Sequence, residues 1–137
     1  MTGTLVDSNV ILDVLTEDPR WDAWSAAALA QAANAGPVYI NPIIYAEVSI
    51  GVATIEEMEE VLPAASFPRL PIPLEAAFLA GKAFLRYRKR KGTKTTPLPD
   101  FFIGAHAAVA GLRLLTRDSR RYRTYFPSVE ITAPVRK

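Results

Sequence analysis

The chain has 137 residues and a formal net charge of +2 at pH 7, with no cysteine and one histidine. This length predicts one domain over residues 1–137, and the 50% hydrophobic content is enough for a core without disulfides. The composition excludes disulfides and thiolate metal sites, and one histidine cannot build a zinc site alone. We expect a cytoplasmic protein, because the N-terminus lacks the pattern of a secretion signal and no apolar run reaches the roughly 18 residues of a membrane span.

Short apolar strands alternate with helical stretches along the chain. The pattern predicts strands at residues 4–6, 38–40, 70–72, 112–115 and 129–132. It predicts helices at residues 22–34, 42–50, 55–62, 74–90 and 99–110. It also predicts a short helix or turn at residues 120–126 and a loop over residues 92–99. This alternation indicates an α/β fold with a central parallel sheet of about four to five strands and helices on both faces.

Four acidic residues are placed to meet at one edge of this sheet. In parallel sheets, ligands bind beyond the carboxyl ends of the strands. Asp7 directly follows the first predicted strand, and Asp118 follows the strand at 112–115. Glu47 lies about one and a half turns into the helix after the second strand, and Asp100 lies in the first turn of its helix.

Carboxylates that are concentrated in this way repel one another unless a cation neutralises them. Because the chain offers mainly oxygen ligands, the cation is expected to be Mg²⁺ or Mn²⁺. Each acid also has a structural explanation. Asp7 and Asp118 could cap helices, and the negative charge of Asp100 could interact favourably with the dipole of its helix. Glu47 is harder to explain in this way, because its neighbours are apolar.

The sequence around the four acids resembles the PIN-domain family and, within it, the VapC toxins of bacterial toxin–antitoxin pairs. The similarity spans nearly the whole chain, and it rests on four motifs in the right order. These are Leu5-Val6-Asp7-Ser8-Asn9-Val10, Ile44-Tyr45-Ala46-Glu47-Val48, Pro99-Asp100-Phe101-Phe102-Ile103-Gly104-Ala105-His106-Ala107 and Leu114-Leu115-Thr116-Arg117-Asp118.

The resemblance implies an endoribonuclease that cleaves RNA with metal-activated water. It implies that Asp7 and Asp100 are the principal Mg²⁺ ligands and that Glu47 and Asp118 complete the catalytic site. Polar support for the carboxylates is implied at two further positions, Asn9 and Thr116. The resemblance also implies a homodimer and a small antitoxin protein as the partner.

The charges are divided unevenly, since residues 1–68 contain ten acids and one base and residues 69–137 contain four acids and fifteen bases. A basic half of this strength suggests a polyanionic partner, although it could also be a solvated surface balanced by the acidic half. The candidate RNA contacts lie before Asp100 and around Asp118: Arg86, Arg88, Lys89, Arg90, Arg117 and Arg120.

Other functions remain as alternatives. A phosphotransfer receiver domain would require paired acids after the first strand, and an aspartyl-nucleophile hydrolase would require a second aspartate at position 9, which is Asn9. A non-catalytic RNA-binding PIN-like module is the main alternative from another class. We interpret His106 as a packed or surface histidine, because it does not share a helix face with Asp100.

Overall fold

The computed structural model describes residues 3–91 and 98–135, and these ranges contain four strands and seven helices. The strands are β1 (Thr4–Val6), β2 (Val38–Tyr39), β3 (Arg113–Leu115) and β4 (Ile131–Thr132). The helices are α1 (Ser8–Leu15), α2 (Asp22–Ala35), α3 (Pro42–Ser49), α4 (Ile55–Val61), α5 (Leu74–Lys91), α6 (Leu98–Ala110) and α7 (Arg120–Tyr125). The predicted α/β class is confirmed.

All four strands are parallel and stand in the order β2-β1-β3-β4. Thr4 pairs with Val38 on one side of β1 and with Arg113 on the other. Successive side chains of a strand point to opposite faces, and all three side chains of β1 are buried. Both faces of the central strand are therefore covered, as the sequence predicted.

The predicted strand at 70–72 is wrong. Ile40 forms only an isolated parallel bridge with Arg69, in which the Leu70 N–H donates to the Ile40 carbonyl at 2.9 Å. Pro71 and Pro73 follow at once and have no N–H to donate, so the ladder beside β2 cannot continue. This segment therefore runs along the sheet edge without becoming a fifth strand.

The helix boundaries follow local signals in the sequence. Asn41 caps α3 by accepting a hydrogen bond from the Ile44 N–H at 2.9 Å, and Pro42 takes the first helical position, as predicted. Gly111 follows α6 with φ of +66°, a conformation that glycine adopts without strain. The predicted loop at 92–99 lies largely outside the described residues, and its last two positions belong to α6.

The core places the site by fixing α6 and α7 against the sheet and α5. Phe101 of α6 is fully buried and packs edge-on against Phe84 of α5 and Tyr125 of α7, with ring centroids 5.6 and 5.4 Å apart. Gly104 lies under Phe126, where the helix approaches too closely for a larger side chain. Within the part of the chain that the structure describes, no helix is long and apolar enough to cross a membrane.

Candidate active site

The carboxyl ends of β1 and β3 bring the first and last predicted acids to the same edge of the sheet. Asp7 follows β1, and its N–H donates to the carbonyl of Leu115 at 2.8 Å. Thr116 and Asp118 continue the chain beyond β3. Because β1 and β3 are adjacent and parallel, the two acids reach one rim, as the sequence predicted.

Asp7 is buried and forms hydrogen bonds with side chains from distant parts of the chain. It occupies the N-cap position of α1, but its side chain makes no capping hydrogen bond. Its Oδ2 instead accepts hydrogen bonds from Thr116 Oγ1 at 2.8 Å and from the Tyr122 hydroxyl at 2.9 Å. Burial raises the pKa of Asp7, and these two hydrogen bonds oppose that rise. The side chain of Asp7 therefore does not cap α1, and the structural explanation considered for this acid does not hold.

Thr116 is held in place by two N–H donors. Its Oγ1 accepts from the Asp118 N–H at 3.2 Å and from the Asn9 side-chain amide at 3.4 Å. Asn9 Oδ1 in turn accepts from the Arg117 N–H at 3.2 Å. Thr116 therefore supports a carboxylate directly, whereas Asn9 acts through Thr116 and the loop after β3.

Glu47 reaches the site from α3 and is half-buried. The Ser8 hydroxyl donates to Glu47 Oε1 at 2.8 Å, and the same hydroxyl lies 3.5 Å from Asp7 Oδ1. Burial raises the pKa of Glu47, the hydrogen bond from Ser8 lowers it, and the negative charge of Asp7 raises it further. Ser8 thus joins the second predicted acid to the first.

Asp100, in the first turn of α6, is partly buried and forms an ion pair with Arg121 of α7. Burial, followed by repulsion from Asp7, raises the pKa of Asp100 to about 6. Arg121 opposes this rise in pKa, and Glu47 and Asp118 contribute to it. Asp100 therefore experiences the negative charge of all three other predicted acids.

These side chains surround an open cavity of about 140 Å³ at the sheet edge. Its lining is mainly polar and comprises Asp7, Ser8, Asn9, Asp100, Asp118, Arg121 and Tyr122. Three of the four predicted acids line the cavity, with Asp118 exposed at the surface, and Glu47 is connected through Ser8. The structure therefore brings the four acids together, and their chemical roles stay predictions.

The donor set suits a hard divalent cation, because all four acids offer oxygen and mutual repulsion favours a bound positive charge. Within residues 3–91 and 98–135, however, no three acidic or histidine side chains stand ready to hold a metal ion. The positive charge beside Asp100 comes from Arg121. The oxygen donors of the four acids thus fit Mg²⁺ in chemistry.

His106 does not belong to this cavity. It is buried in α6, where its Nδ1 lies 3.0 Å from the side-chain amide nitrogen of Asn41, the residue that caps α3. The amide donates, so Nδ1 must be the unprotonated acceptor. Burial lowers the pKa of His106. This confirms the interpretation of a packed histidine.

The candidate RNA contacts fall into two groups. Arg117 forms a bidentate salt bridge with the buried Asp13 of α1, in which Nε donates to Oδ2 at 2.8 Å and Nη2 donates to Oδ1 at 3.0 Å. The guanidinium of Arg117 also lies over the ring of Trp21. Arg117 therefore has a structural role that the sequence did not predict. The other five candidates are exposed: Arg86, Arg88, Lys89, Arg90 and Arg120.

Sequence reasoning did not assign three residues that the structure places in the site. Ser8 could have been suspected from its position directly after Asp7. Tyr122 is buried and donates its hydroxyl to Asp7, a contact between positions 115 residues apart for which the sequence carries no local signal. Arg121 was one of several basic residues near Asp118, and nothing in its spacing indicated a contact with Asp100.

The comparisons with known proteins agree with this fold. A family model described as the PIN domain matches residues 4–127. This protein therefore belongs to the PIN-domain family, and the resemblance seen in its motifs is confirmed. No match was found among curated protein sequences.

The chain is also similar to solved structures of several bacterial complexes. It is 26% identical to a chain of FitAcB from Neisseria gonorrhoeae, with a TM-score of 0.70 and coverage of 93% of this chain and 95% of that one. VapBC2 from Rickettsia felis, bound to a promoter DNA fragment, gives 17% identity, a TM-score of 0.70 and coverage of 95% and 97%. A toxin–antitoxin complex from Klebsiella pneumoniae gives 24% identity, a TM-score of 0.61 and coverage of 88% and 90%.

Proposed function

We propose that this protein is a Mg²⁺-dependent endoribonuclease and the toxin of a toxin–antitoxin pair. The observation that carries the proposal is the cavity at the sheet edge, where Asp7, Asp100 and Asp118 lie together. Membership of the PIN-domain family and the similarity to toxin–antitoxin complexes support it. A soluble RNA substrate would place its action in the cytoplasm.

Asp7 and Asp100 would hold the ion, with Glu47 and Asp118 completing its surroundings. A bound Mg²⁺ or Mn²⁺ supplies Lewis acidity, which activates water and stabilises charge on a phosphate. The protein contributes orientation: hydrogen bonds from Thr116 and Tyr122 fix Asp7. Ser8 fixes Glu47 in the same way.

RNA would approach across the basic surface at the C-terminal end of α5. The guanidinium of Arg90 lies 6.0 Å from the ring centroid of Tyr125 in α7, the helix that also carries Arg121 and Tyr122 into the cavity wall. The exposed basic residues therefore adjoin the acidic cavity. Phosphate contacts from such residues would position the RNA without reading its sequence.

The proposed partners are a small antitoxin and a second copy of this chain. The antitoxin is supported by the similar structures, one of which is described as a toxin–antitoxin complex. The homodimer is supported by large apolar side chains that remain exposed on α5, since Leu74 is 84% and Phe78 is 68% exposed. Adjacent apolar exposure of this kind is typical of a contact surface.

A non-catalytic RNA-binding module is the second candidate function. It is favoured by the ion pair between Asp100 and Arg121, which places a positive charge at the cavity without a metal ion. Four acids at the cavity would oppose phosphate binding if no cation intervened, which argues against it. The two candidates differ in whether RNA is cleaved when Mg²⁺ is added.

The deciding experiment measures RNA cleavage against Mg²⁺ concentration for the wild type, Asp7→Asn and Asp100→Asn. Both substitutions keep the side-chain shape but remove a ligand charge, so we expect cleavage to fall by at least roughly a hundredfold. Without metal, Asp7→Asn should be as stable as the wild type or more stable, because a buried charge is gone.

The matched control is Glu130→Gln, which removes an exposed carboxylate paired with Arg113, outside the cavity lining. It should retain wild-type cleavage. Chelator should abolish cleavage by the wild type. RNA binding without metal-dependent cleavage would support the module, and full activity in both folded Asp variants would remove the proposed metal site.

A further inference from the structure

The side chain of Arg121 lies in the wall of the acidic cavity. Its guanidinium pairs with Asp100 Oδ2 and lies 5.8 Å from the ring centroid of Tyr87 in α5. The two paired side chains are 30% and 27% exposed, so the contact is partly shielded from water. Contacts with a carboxylate and an aromatic ring together fix the guanidinium at the cavity wall.

Arg121 lies beside Asp100, where the surrounding acids would also attract a metal cation. Asp100 experiences repulsion from Asp7, Glu47 and Asp118, and Arg121 supplies the opposing positive charge. A second cation at Asp100 would share the same carboxylate with the guanidinium and would be repelled by it.

We propose that Arg121 is an internal counter-ion that occupies the cation position beside Asp100 and releases this carboxylate when a divalent ion binds. The inference rests on the proposed function, since it assumes that Asp100 is a metal ligand. Its consequence is that Arg121 weakens metal binding while stabilising the metal-free protein. Without the Arg121 guanidinium, the acids would bind the divalent ion more tightly than they do when it is present.

The competing explanation is that Arg121 orients Asp100 for the metal. The two explanations predict opposite effects of removing the guanidinium. A counter-ion competes with the metal, so its removal tightens metal binding. A positioning residue holds the ligand in place, so its removal weakens metal binding.

The test is calorimetric titration of the RNA-free protein with Mn²⁺ at constant ionic strength, for the wild type, Arg121→Gln and Arg123→Gln. Arg123 is an exposed residue of the same helix outside the cavity lining, and its substitution changes the net charge equally. We expect Arg121→Gln to bind Mn²⁺ roughly tenfold more tightly than Arg123→Gln, because only Arg121 contacts a proposed ligand. Arg121→Lys keeps the charge and should stay close to the wild type.

Thermal melts give a second readout that does not depend on activity. Without metal, Arg121→Gln should melt below the wild type, because the acids lose their counter-ion, and Mn²⁺ should restore its melting temperature. A role confined to packing on Tyr87 predicts a loss that Mn²⁺ does not restore. If Arg121→Gln does not fold, Arg121→Met retains an apolar contact with the ring and replaces it in both measurements.

The outcomes separate this inference from the proposed function. If the wild type and Arg123→Gln bind Mn²⁺, but Arg121→Gln binds it equally or more weakly, the counter-ion is overturned and the metal site stands. If no variant binds Mn²⁺, the metal site of the proposed function is overturned, and the counter-ion with it.

Discussion

Tyr122 shows how one hydroxyl can hold a site residue in place. It is buried, and it donates to Asp7 Oδ2 alongside Thr116. Burial and the surrounding acids raise the pKa of Tyr122, so its hydroxyl keeps the proton that it donates. Tyr122 therefore supports the candidate metal ligand Asp7 through a hydrogen bond.

Removing this hydroxyl should destabilise the protein measurably. Tyr122→Phe leaves a buried carboxylate with one donor fewer, which costs about 1–3 kcal/mol of unfolding free energy. Tyr125→Phe on the same helix is the matched control, since the Tyr125 ring packs against Phe101 and Tyr87. Urea unfolding of both variants checks this prediction, and equal losses in the two would show that the bond to Asp7 contributes nothing specific.

His106 should make stability depend on pH in a defined direction. Burial lowers its pKa in the folded protein below the ordinary 6.5, so the unfolded chain binds more protons near that pH. The stabilising contribution is therefore present above pH 6.5 and is lost as the pH falls below it. The structural cause is that a proton on Nδ1 would face the side-chain amide of Asn41, which also donates.

The measurement compares urea unfolding of the wild type and His106→Asn at roughly pH 7.5 and roughly pH 5.5. Asn keeps a polar group near Asn41 but does not titrate. The wild type should lose stability relative to the variant at the lower pH, by up to about 1.4 kcal/mol per pH unit. The difference between the two proteins isolates His106, because carboxylates such as Asp100 titrate in both. A difference that does not change with pH would contradict the prediction.

At the scale of elements, the contact between α6 and α7 determines whether the site forms. A side chain at Gly104 would bring its Cβ within 2.4 Å of Phe126 and 3.0 Å of Tyr122. Tyr122 donates to Asp7, and its neighbour Arg121 pairs with Asp100. The close approach of these two helices is therefore what brings α7 to the acids.

Gly104→Ala should push α7 away from α6 and cost about 1–3 kcal/mol of unfolding free energy by overpacking. The control is Gly81→Ala in α5, where an added Cβ has no atom within 4 Å among the described residues. That variant should be stabilised by up to about 1 kcal/mol, because alanine favours a helix over glycine. Opposite shifts in thermal melts are expected, and a stable Gly104→Ala would show that α7 is not held by this contact.

The sequence predicted where the acids lie, because strand ends and helix starts have local signals. It did not predict which side chains contact them, because Tyr122 and Asp7 are 115 positions apart and meet only through the packing of α7. The strand wrongly predicted at 70–72 has a simpler cause. Its apolar pattern outweighed Pro71, which prevents continued pairing beside β2.

At the scale of the whole molecule, the fold redistributes the uneven charge of the sequence. The acidic half supplies Asp7 and Glu47 to the cavity, and the basic half supplies Asp100, Asp118 and Arg121. Four acids therefore meet beside a predominantly basic surface formed by the C-terminal end of α5 and by α7. Such a surface would attract RNA, and the acidic cavity would accept its backbone only with a cation present.

Charge reversal on α5 should test whether this basic surface binds RNA. Arg88→Glu with Arg90→Glu should weaken RNA binding and reduce its salt dependence, by roughly 0.7 in slope for each lost phosphate contact to single-stranded RNA. Arg20→Glu with Lys82→Glu changes the net charge equally at other exposed positions and is the control. Binding isotherms over a series of salt concentrations give the slope for each double variant. Thermal melts should show that both double variants keep the fold, because all four positions are exposed. If the salt-dependence slope of Arg88→Glu/Arg90→Glu equals that of the control, net charge alone accounts for the change in binding. Arg88 and Arg90 would then be only the solvated end of a helix.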